Sequence, residues 1–442
     1  MVLLGKAIYF LWVMLLTNLL PMRMAPLATG AAYMVLLLGF AAINLFPLWK
    51  KGGFTRLGVM LGGEYLLVLG VLSFMLNLVL SIAYGFCLLG KGWGPIPFVI
   101  HILFWILFST ILVLNGFFRI FFTSVQWGIR RRVVFLLFWW VPVAGLVLLV
   151  GTCRLVRQEY EIETEKQKLN ALRRVEETCR THYPLVLVHG VFFRDRKYFN
   201  YWGRIPGELT RNGATVYYGG QQSAASTENA AKELRERILR IVEETGCGKV
   251  NIIAHSKGGL EARWAVGKLG LAPYVASLTT INTPHRGCAF ADWLLGRLPQ
   301  GLCHWVAARY NGALRRLGDP HPDFLAAVYD LTAERCAAYN GELPDVPGVL
   351  YQSVGSKMKG WTSAPFPLNL AYLYVRRFER ENDGLVGVES MKWGERFRML
   401  TASGRRGISH GDMIDLNRQN FRGFDVREFY VELVRDLKER GC

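Results

Sequence analysis

Residues 1–153 contain ten Lys or Arg and a single acid, Glu64, and this scarcity of charge constrains the chain more than any other feature. An ordinary globular domain carries about a quarter of its residues as charges, so this third is not expected to fold against water. Five apolar runs, at about 5–22, 29–48, 66–89, 96–118 and 133–152, approach the roughly 20 helical residues that cross a bilayer core. The first has no small-residue cleavage site after it and is followed by more such runs, which argues against a signal peptide. Trp49, Trp93 and Trp127 fall in the loops beside run ends, where amphipathic rings favour an interface, whereas Trp139 and Trp140 fall deeper in the last run. Glu64 lies near a run edge and His101 is almost alone among deeper ionisable groups. Intramembrane charges mark transport pathways, so their scarcity points to an anchor or a lipid contact.

Lys and Arg positions orient such a domain. Lys6, the loop with Lys50, Lys51 and Arg56, and the loop with Arg119, Arg130, Arg131 and Arg132 share one side; Arg23 and Lys91 take the other. The richer side is cytoplasmic by the positive-inside rule, and five crossings then put the rest of the chain outside. Arg154 and Arg157, beside the last run on that outer face, run against the rule.

Charge returns abruptly after residue 153, where 42 basic and 33 acidic residues are found. Residues 154–182 read as a charged linker or stalk helix, with Glu163–Lys166 and Glu165–Lys168 at i,i+3 spacing. The net charge of +18 carries no basic stripe with interleaved aromatics. No nucleic-acid partner is therefore expected, and anionic headgroups account for the charge more simply. The eight cysteines show no C-x-x-C metal spacing, and Cys288 with Cys303 is a possible disulfide.

From Tyr183 short apolar runs alternate with amphipathic stretches. Residues 183–190, 214–218, 249–254, 275–281 and 349–354 read as buried strands, and 229–245 as a helix. That alternation predicts an α/β class: a mostly parallel sheet covered by helices on both faces. Where the third strand ends stands Ala254-His255-Ser256-Lys257-Gly258. A sharp strand-to-helix turn that exposes a serine needs small residues two places to either side, and Ala254 and Gly258 meet that need. The bland alternative is a simple turn serine. An earlier strand ends in His189-Gly190-Val191, so the amides of Val191 and Lys257 are candidate donors for a developing oxyanion. Among the later histidines, His285 follows the next strand too closely, and His304 and His321 lie in a helical insertion. His410, in Gly407-Ile408-Ser409-His410, is the best base. The acid is Asp383, with Glu379 and Glu381 as rivals that spacing alone does not exclude.

Together these residues resemble the secreted bacterial triacylglycerol lipases of the Pseudomonas and Burkholderia type, from about Tyr183 to Asn417. The likeness runs through Tyr183-Pro184 to His189-Gly190, Tyr201-Trp202, Gly213 to Tyr217, Lys249-Val250-Asn251, Thr283 to Gly287, Asn382-Asp383-Gly384-Leu385-Val386-Gly387 and Ser409-His410. The resemblance implies an α/β-hydrolase fold, a triad of Ser256, Asp383 and His410, and Val191 and Lys257 as oxyanion donors. It singles out Asp383 as the acid. Position 254 is Ala where that family usually has Gly. The family also holds a structural calcium between two aspartates. Asp412 matches one, but Ser363 stands near the place of the other in an acid-free stretch. One carboxylate gives calcium little to hold, so no cofactor is expected and Asp412 is only a candidate ligand. The resemblance says nothing of residues 1–153.

The expected organisation is a helical membrane domain over 1–153, a linker over 154–182 and a lipase-like domain over 183–442, with residues 288–340 as a helical lid or as helices packed permanently on the sheet. The expected activity is hydrolysis of lipid carboxylic esters, phospholipid or acylglycerol, at a membrane. Acyl transfer through the same acyl-serine, or a lipid-binding scaffold without turnover, are the alternatives.

Overall fold

Six strands alternate their side chains between two faces, and each face is buried by its own helices. The structure, a computed structural model, describes all residues except 1, 20–25, 48–53, 91–94, 192–199, 298, 317 and 320. Trp49, Trp93, Arg23, Lys50, Lys51 and Lys91 therefore lie outside the described residues. These fall into two units, Met1–Lys168 and Leu169–Cys442.

In the second unit the strands are β1 (Leu185–Val188), β2 (Val216–Tyr218), β3 (Val250–His255), β4 (Val275–Ile281), β5 (Leu350–Ser356) and β6 (Arg396–Leu400). All pair in parallel in the order β2-β1-β3-β4-β5-β6. Successive side chains of a strand point to opposite faces. Leu185, Leu187, Ile253 and Ile281 accordingly pack with Ile205, Leu209, Phe429, Tyr430 and Val434 on one face. Val186, Val188, Ile252 and Ala254 pack with Leu234, Ile238, Ile241, Ala262 and Val266 on the other. The first set of partners lies on helices Ile205–Arg211 and Val426–Glu439, the second on Thr227–Thr245 and Lys257–Lys268. The doubly covered parallel sheet of an α/β-hydrolase is thus present. Strand order reverses at β1, with β2 on one side and β3 on the other. The carboxyl ends of β1 and β3 therefore flank the topological switch point, where open α/β sheets bind ligands. The insertion after β4 forms helices Ala289–Arg297, Gln300–Arg316, Phe324–Tyr329 and Ala333–Glu342. Cys288 and Cys303 are not joined in a disulfide; Cys288 Sγ instead lies 2.8 Å from Leu385 O.

The first unit is helical: α1 (Val2–Asn18), α2 (Pro26–Leu45), α3 (Arg56–Gly90), α4 (Pro95–Thr123), α5 (Ile129–Phe138) and α6, which runs from Pro142 on to Glu176. Within them, Arg56–Phe86 and Phe98–Thr123 are long and apolar enough to cross a membrane. Glycines let α3 and α4 approach closely: a Cβ on Gly116 would lie 2.6 Å from Gly63 O. One end of this unit is fixed by Tyr65 Oη donating to Lys6 O (3.2 Å) and Arg119 Nη2 donating to Asn44 O (2.7 Å). The other carries a buried polar cluster in which Asn18 Nδ2 donates to Asn77 Oδ1 (2.8 Å) and His101 Nδ1 to Thr17 O (3.0 Å).

Two expectations for this unit change. The run 133–152 is not one helix. It breaks at Trp139–Val141, because Pro142 lacks an amide proton and is accommodated as the first residue of a new helix. Gly145 then packs on the turn, where a Cβ would lie 2.1 Å from Trp139 O. Beyond the turn α6 comes back: Glu159 accepts from Arg56 Nη1 (2.8 Å), Ser124 Oγ (2.7 Å) and the amides of Val125 and Gln126 (both 3.1 Å). Arg56 also donates to Thr123 O. The α5–α6 hairpin therefore starts and finishes at the end of the unit that holds Arg56. Trp127, expected at an interface, is instead buried among Phe117, Phe121 and Phe135.

Candidate active site

β3 runs buried to His255, and the chain then reverses at Ser256 with φ 56 and ψ −131 before the helix Lys257–Lys268 begins. A non-glycine residue at positive φ is strained and persists only where its surroundings enforce it. Here small neighbours do so. A Cβ on Gly258 would lie 2.4 Å from His189 O, and one on Gly259 would lie 2.1 Å from Thr283 Oγ1. Gly190 matters for a different reason: its Cβ would stand 2.8 Å from Ser256 Cβ and 3.1 Å from His255 O. The loop after β1 thus lies directly against the serine, with Val191 next in the chain and buried. The first amides of a helix have no carbonyl of a preceding turn to bond, which leaves the Lys257 amide available beside Ser256.

The Lys257 side chain is fully buried and has its own task. Nζ bonds Glu261 Oε1 (2.6 Å) and Ala225 O (2.9 Å). Gln221 Nε2 donates to Glu261 Oε2 (2.9 Å) and to His189 O (3.0 Å), tying the end of β1 to the helix after Ser256. No hint of this network is readable from the spacing of Gln221 and Glu261.

Asp383 is buried, and its carboxylate is saturated. Oδ1 accepts the amides of Leu385 (2.9 Å) and Val386 (2.8 Å); Oδ2 accepts from Asn282 Nδ2 and from His410 Nδ1, both at 2.6 Å. An ionised carboxylate only accepts, so His410 carries its proton on Nδ1 and leaves Nε2 free to accept. The backbone repeats the connection, His410 N donating to Asp383 O at 2.9 Å. The rivals lie elsewhere. Glu381 pairs with Lys357. Glu379 lies over Gly387, its carboxyl pushed up by burial and then by the Asp383 charge. His285, fully buried, bonds Thr280 Oγ1 and Arg263, and His321 donates its amide to Gln222. His304 lies within Gln300–Arg316.

The His410 ring lies 4.5 Å, centroid to centroid, from that of His255, the residue before Ser256. Burial holds His255 well below the usual histidine range, with His410 adding to it, and its Nδ1 shares a 2.7 Å hydrogen bond with Tyr201 Oη. Acid and histidine are therefore joined, and the histidine ring lies against the residue that precedes Ser256. No hydrogen bond joins Ser256 to His410 among the described residues, and such bonds are commonly long before substrate tightens them. Asn282 and Tyr201 are the supporting residues that spacing missed. The available signal was an Asn just after β4, a residue type that tolerates its φ of 48.

Asp412 is also buried. Its Oδ2 accepts from Ser409 N (2.9 Å) and Ser409 Oγ (2.7 Å), and its Oδ1 from Arg406 Nη2 (2.6 Å). Among the described residues no group of three or more His, Cys, Asp or Glu could hold a metal ion.

Residues 182–272 match a family described as Lipase (class 2). A triacylglycerol lipase of Pseudarthrobacter phenanthrenivorans is 37% identical over 177 residues, 37% of this chain and 54% of the relative. This chain thus spans about half of that protein's length. A triacylglycerol lipase of Vibrio cholerae is 34% identical over 242 residues, 50% of this chain and 77% of the relative. One of Pseudomonas fragi is 30% identical over 301 residues, 60% of this chain and all of the relative.

Proposed function

The chain belongs to the triacylglycerol lipase family, and from that premise we propose that it hydrolyses lipid carboxylic esters through an acyl-serine on Ser256. Ser256 Oγ attacks the ester carbonyl while His410 Nε2 takes its proton. The amides of Val191 and Lys257 hold the oxyanion, and collapse expels the alcohol, which receives the proton from His410. Water, activated by the same histidine, then releases the fatty acid. Asp383 keeps the proton on His410 Nδ1 and stabilises the imidazolium.

The observation that carries this reading is the saturated Asp383 carboxylate on His410, in a loop that returns to the strand end bearing Ser256. A lipid-binding scaffold needs no such arrangement. The test is covalent labelling of the purified full chain by a fluorophosphonate probe, followed by a lipid panel. Labelling that disappears in Ser256→Ala is expected; equal labelling of both proteins sinks the proposal. Phospholipids and acylglycerols are the substrate classes, supported by the apolar helical unit and by Leu302, Trp305 and Val306, which are exposed on Gln300–Arg316 within the lid region.

The helical unit is proposed to anchor the enzyme in the membrane, with the catalytic unit on the cytoplasmic side rather than outside. Lys6, Arg56, Arg119 and Arg132 belong to one end of that unit, and Glu159 of α6 returns to the same end. The chain then leaves on its basic side, which the positive-inside rule assigns to the cytoplasm. Arg154 and Arg157, awkward for five crossings, conform to the rule under this arrangement.

A further inference from the structure

We infer that Arg406 is a built-in cation that holds the His410 loop, in the place where the family resemblance implies a calcium ion. Its guanidinium reaches two points. Nη2 bonds Asp412 Oδ1 and Nε bonds Ser363 O, each at 2.6 Å. The flat face of the same group lies 4.1 Å from the Phe421 ring centroid. Arg406 and Asp412 bracket the histidine in sequence, so their ion pair closes a short ring of chain with His410 inside it. Asp412 Oδ2 grips that ring again by accepting from both the amide and the hydroxyl of Ser409, the residue before His410. The outer side of the ring is laid against residues 357–363. Ile408 N donates to Lys357 O (2.8 Å) and Gly407 N to Ser363 Oγ (3.1 Å), and a Cβ on Gly407 would lie 2.2 Å from Lys359 N.

A calcium ion does not fit these residues. It prefers six to eight oxygens, whereas both oxygens of Asp412 and the facing Ser363 carbonyl are already bonded. The occupant between them is itself positive, so a divalent ion would have to expel the guanidinium. Arg suits the task because it stays charged and its planar fork reaches two acceptors at fixed angles. Arg406 is a positioning residue: it touches neither Ser256 nor His410, and acts by fixing where the histidine stands.

The positioning part rests on His410 being the base; the metal part does not. The test uses the full chain in detergent, comparing wild type, Arg406→Lys and Arg406→Met, each with a calcium chelator or with millimolar calcium. The limiting rate and half-saturation concentration of fluorophosphonate labelling are read beside the melting temperature. Wild type is expected to keep both its rate and its melting temperature in either condition. Arg406→Met is expected to lose about tenfold or more in limiting rate at unchanged half-saturation, with no recovery in calcium, because both bonds that hold the loop are lost. Arg406→Lys should recover part of it. A wild type whose melting temperature falls in chelator and returns with calcium overturns the inference. So does an Arg406→Met protein that labels at the full limiting rate. If Arg406→Met does not fold, a fully active Arg406→Lys protein whose melting temperature then rises with calcium overturns it equally. If wild type never labels, the hydrolase reading fails, and the melting temperatures of wild type with and without calcium still decide whether a metal is held.

Discussion

Asn282 Nδ2 donates at 2.6 Å to Asp383 Oδ2, the same oxygen that receives the Nδ1 proton of His410. One carboxylate oxygen is thus fixed by an amide from the end of β4 before the histidine uses it. Asn282 Nδ2 is anchored in turn on Ser356 Oγ of β5 (2.7 Å). Replacing Asn282 by Ala should leave Asp383 ionised but less well directed. Loss of one bond to a charged group is worth about 1.5–3 kcal/mol, so the limiting rate of ester hydrolysis should fall by roughly ten- to a hundredfold with KM little changed. Steady-state kinetics of Asn282→Ala against a soluble ester checks this, and an unchanged kcat would remove Asn282 from the machinery.

Gly190 offers a sharper test of the oxyanion loop. A Cβ there would meet Ser256 Cβ at 2.8 Å, Tyr201 Oη at 2.9 Å and His255 O at 3.1 Å. The loop must therefore back away and take the Val191 amide with it. Removal of one oxyanion donor costs about 10²–10³ in rate. Gly190→Ala should fall in that range while its melting temperature moves far less than that of Gly258→Ala, whose added methyl meets backbone at 2.4 Å. Near-normal turnover of Gly190→Ala would mean that Val191 is not a donor.

Sidedness can be read directly. With α6 returning to Arg56, residues from about 177 onward should resist protease in intact cells and be cut in inverted membrane vesicles. Cleavage in intact cells would restore an odd number of crossings and place the catalytic unit outside.

The sheet was largely legible because each strand is a short apolar run that the sequence itself punctuates, as Leu185–Val188 before Gly190 and Val250–His255 before Ser256. The candidate site was legible in part: a sharp turn needs small residues at fixed offsets around Ser256, whereas Asp383 stood out from Glu379 and Glu381 only through the family resemblance. What escaped depended on long-range partners. Hydropathy averages over Trp139–Pro142, so a hairpin reads as one span; contacts such as Glu159 with Arg56 reveal the return. Ser363 stands in an acid-free stretch, and its carbonyl accepts from Arg406 Nε. Nothing in its neighbourhood announces that Arg406 fills the gap.

Two buried histidines give the fold an acid limit. His255 is held well below its usual range by burial and then by His410; His285 by burial and then by Arg263 and Arg286. In the unfolded chain both titrate near about 6.5. Above that pH they are neutral in both states and contribute nothing. Below it the unfolded chain binds protons that the folded one refuses. Stability should then drop by about 1.4 kcal/mol per pH unit for each histidine. Melting temperatures of wild type and His285→Gln between pH 7 and 5 should therefore diverge, the variant losing less. Parallel curves would show that His285 takes up its proton without unfolding.

The buried pair beside the serine separates main-chain from side-chain roles. Lys257 is proposed to act through its amide, while its ammonium is locked on Glu261 Oε1 at 2.6 Å with both side chains essentially inaccessible. Removing only Glu261 strands a buried cation, which typically costs about 3–5 kcal/mol, whereas replacing a buried pair by apolar residues of similar size is often neutral. Glu261→Leu should thus melt far below wild type, and Lys257→Met with Glu261→Leu should recover most of that loss. The double variant keeps the Lys257 backbone amide, so it should still react with a fluorophosphonate at a rate within about tenfold of wild type. A double variant that folds but does not label would show that the ammonium itself takes part in the chemistry. The amide would then not be sufficient on that side of the oxyanion.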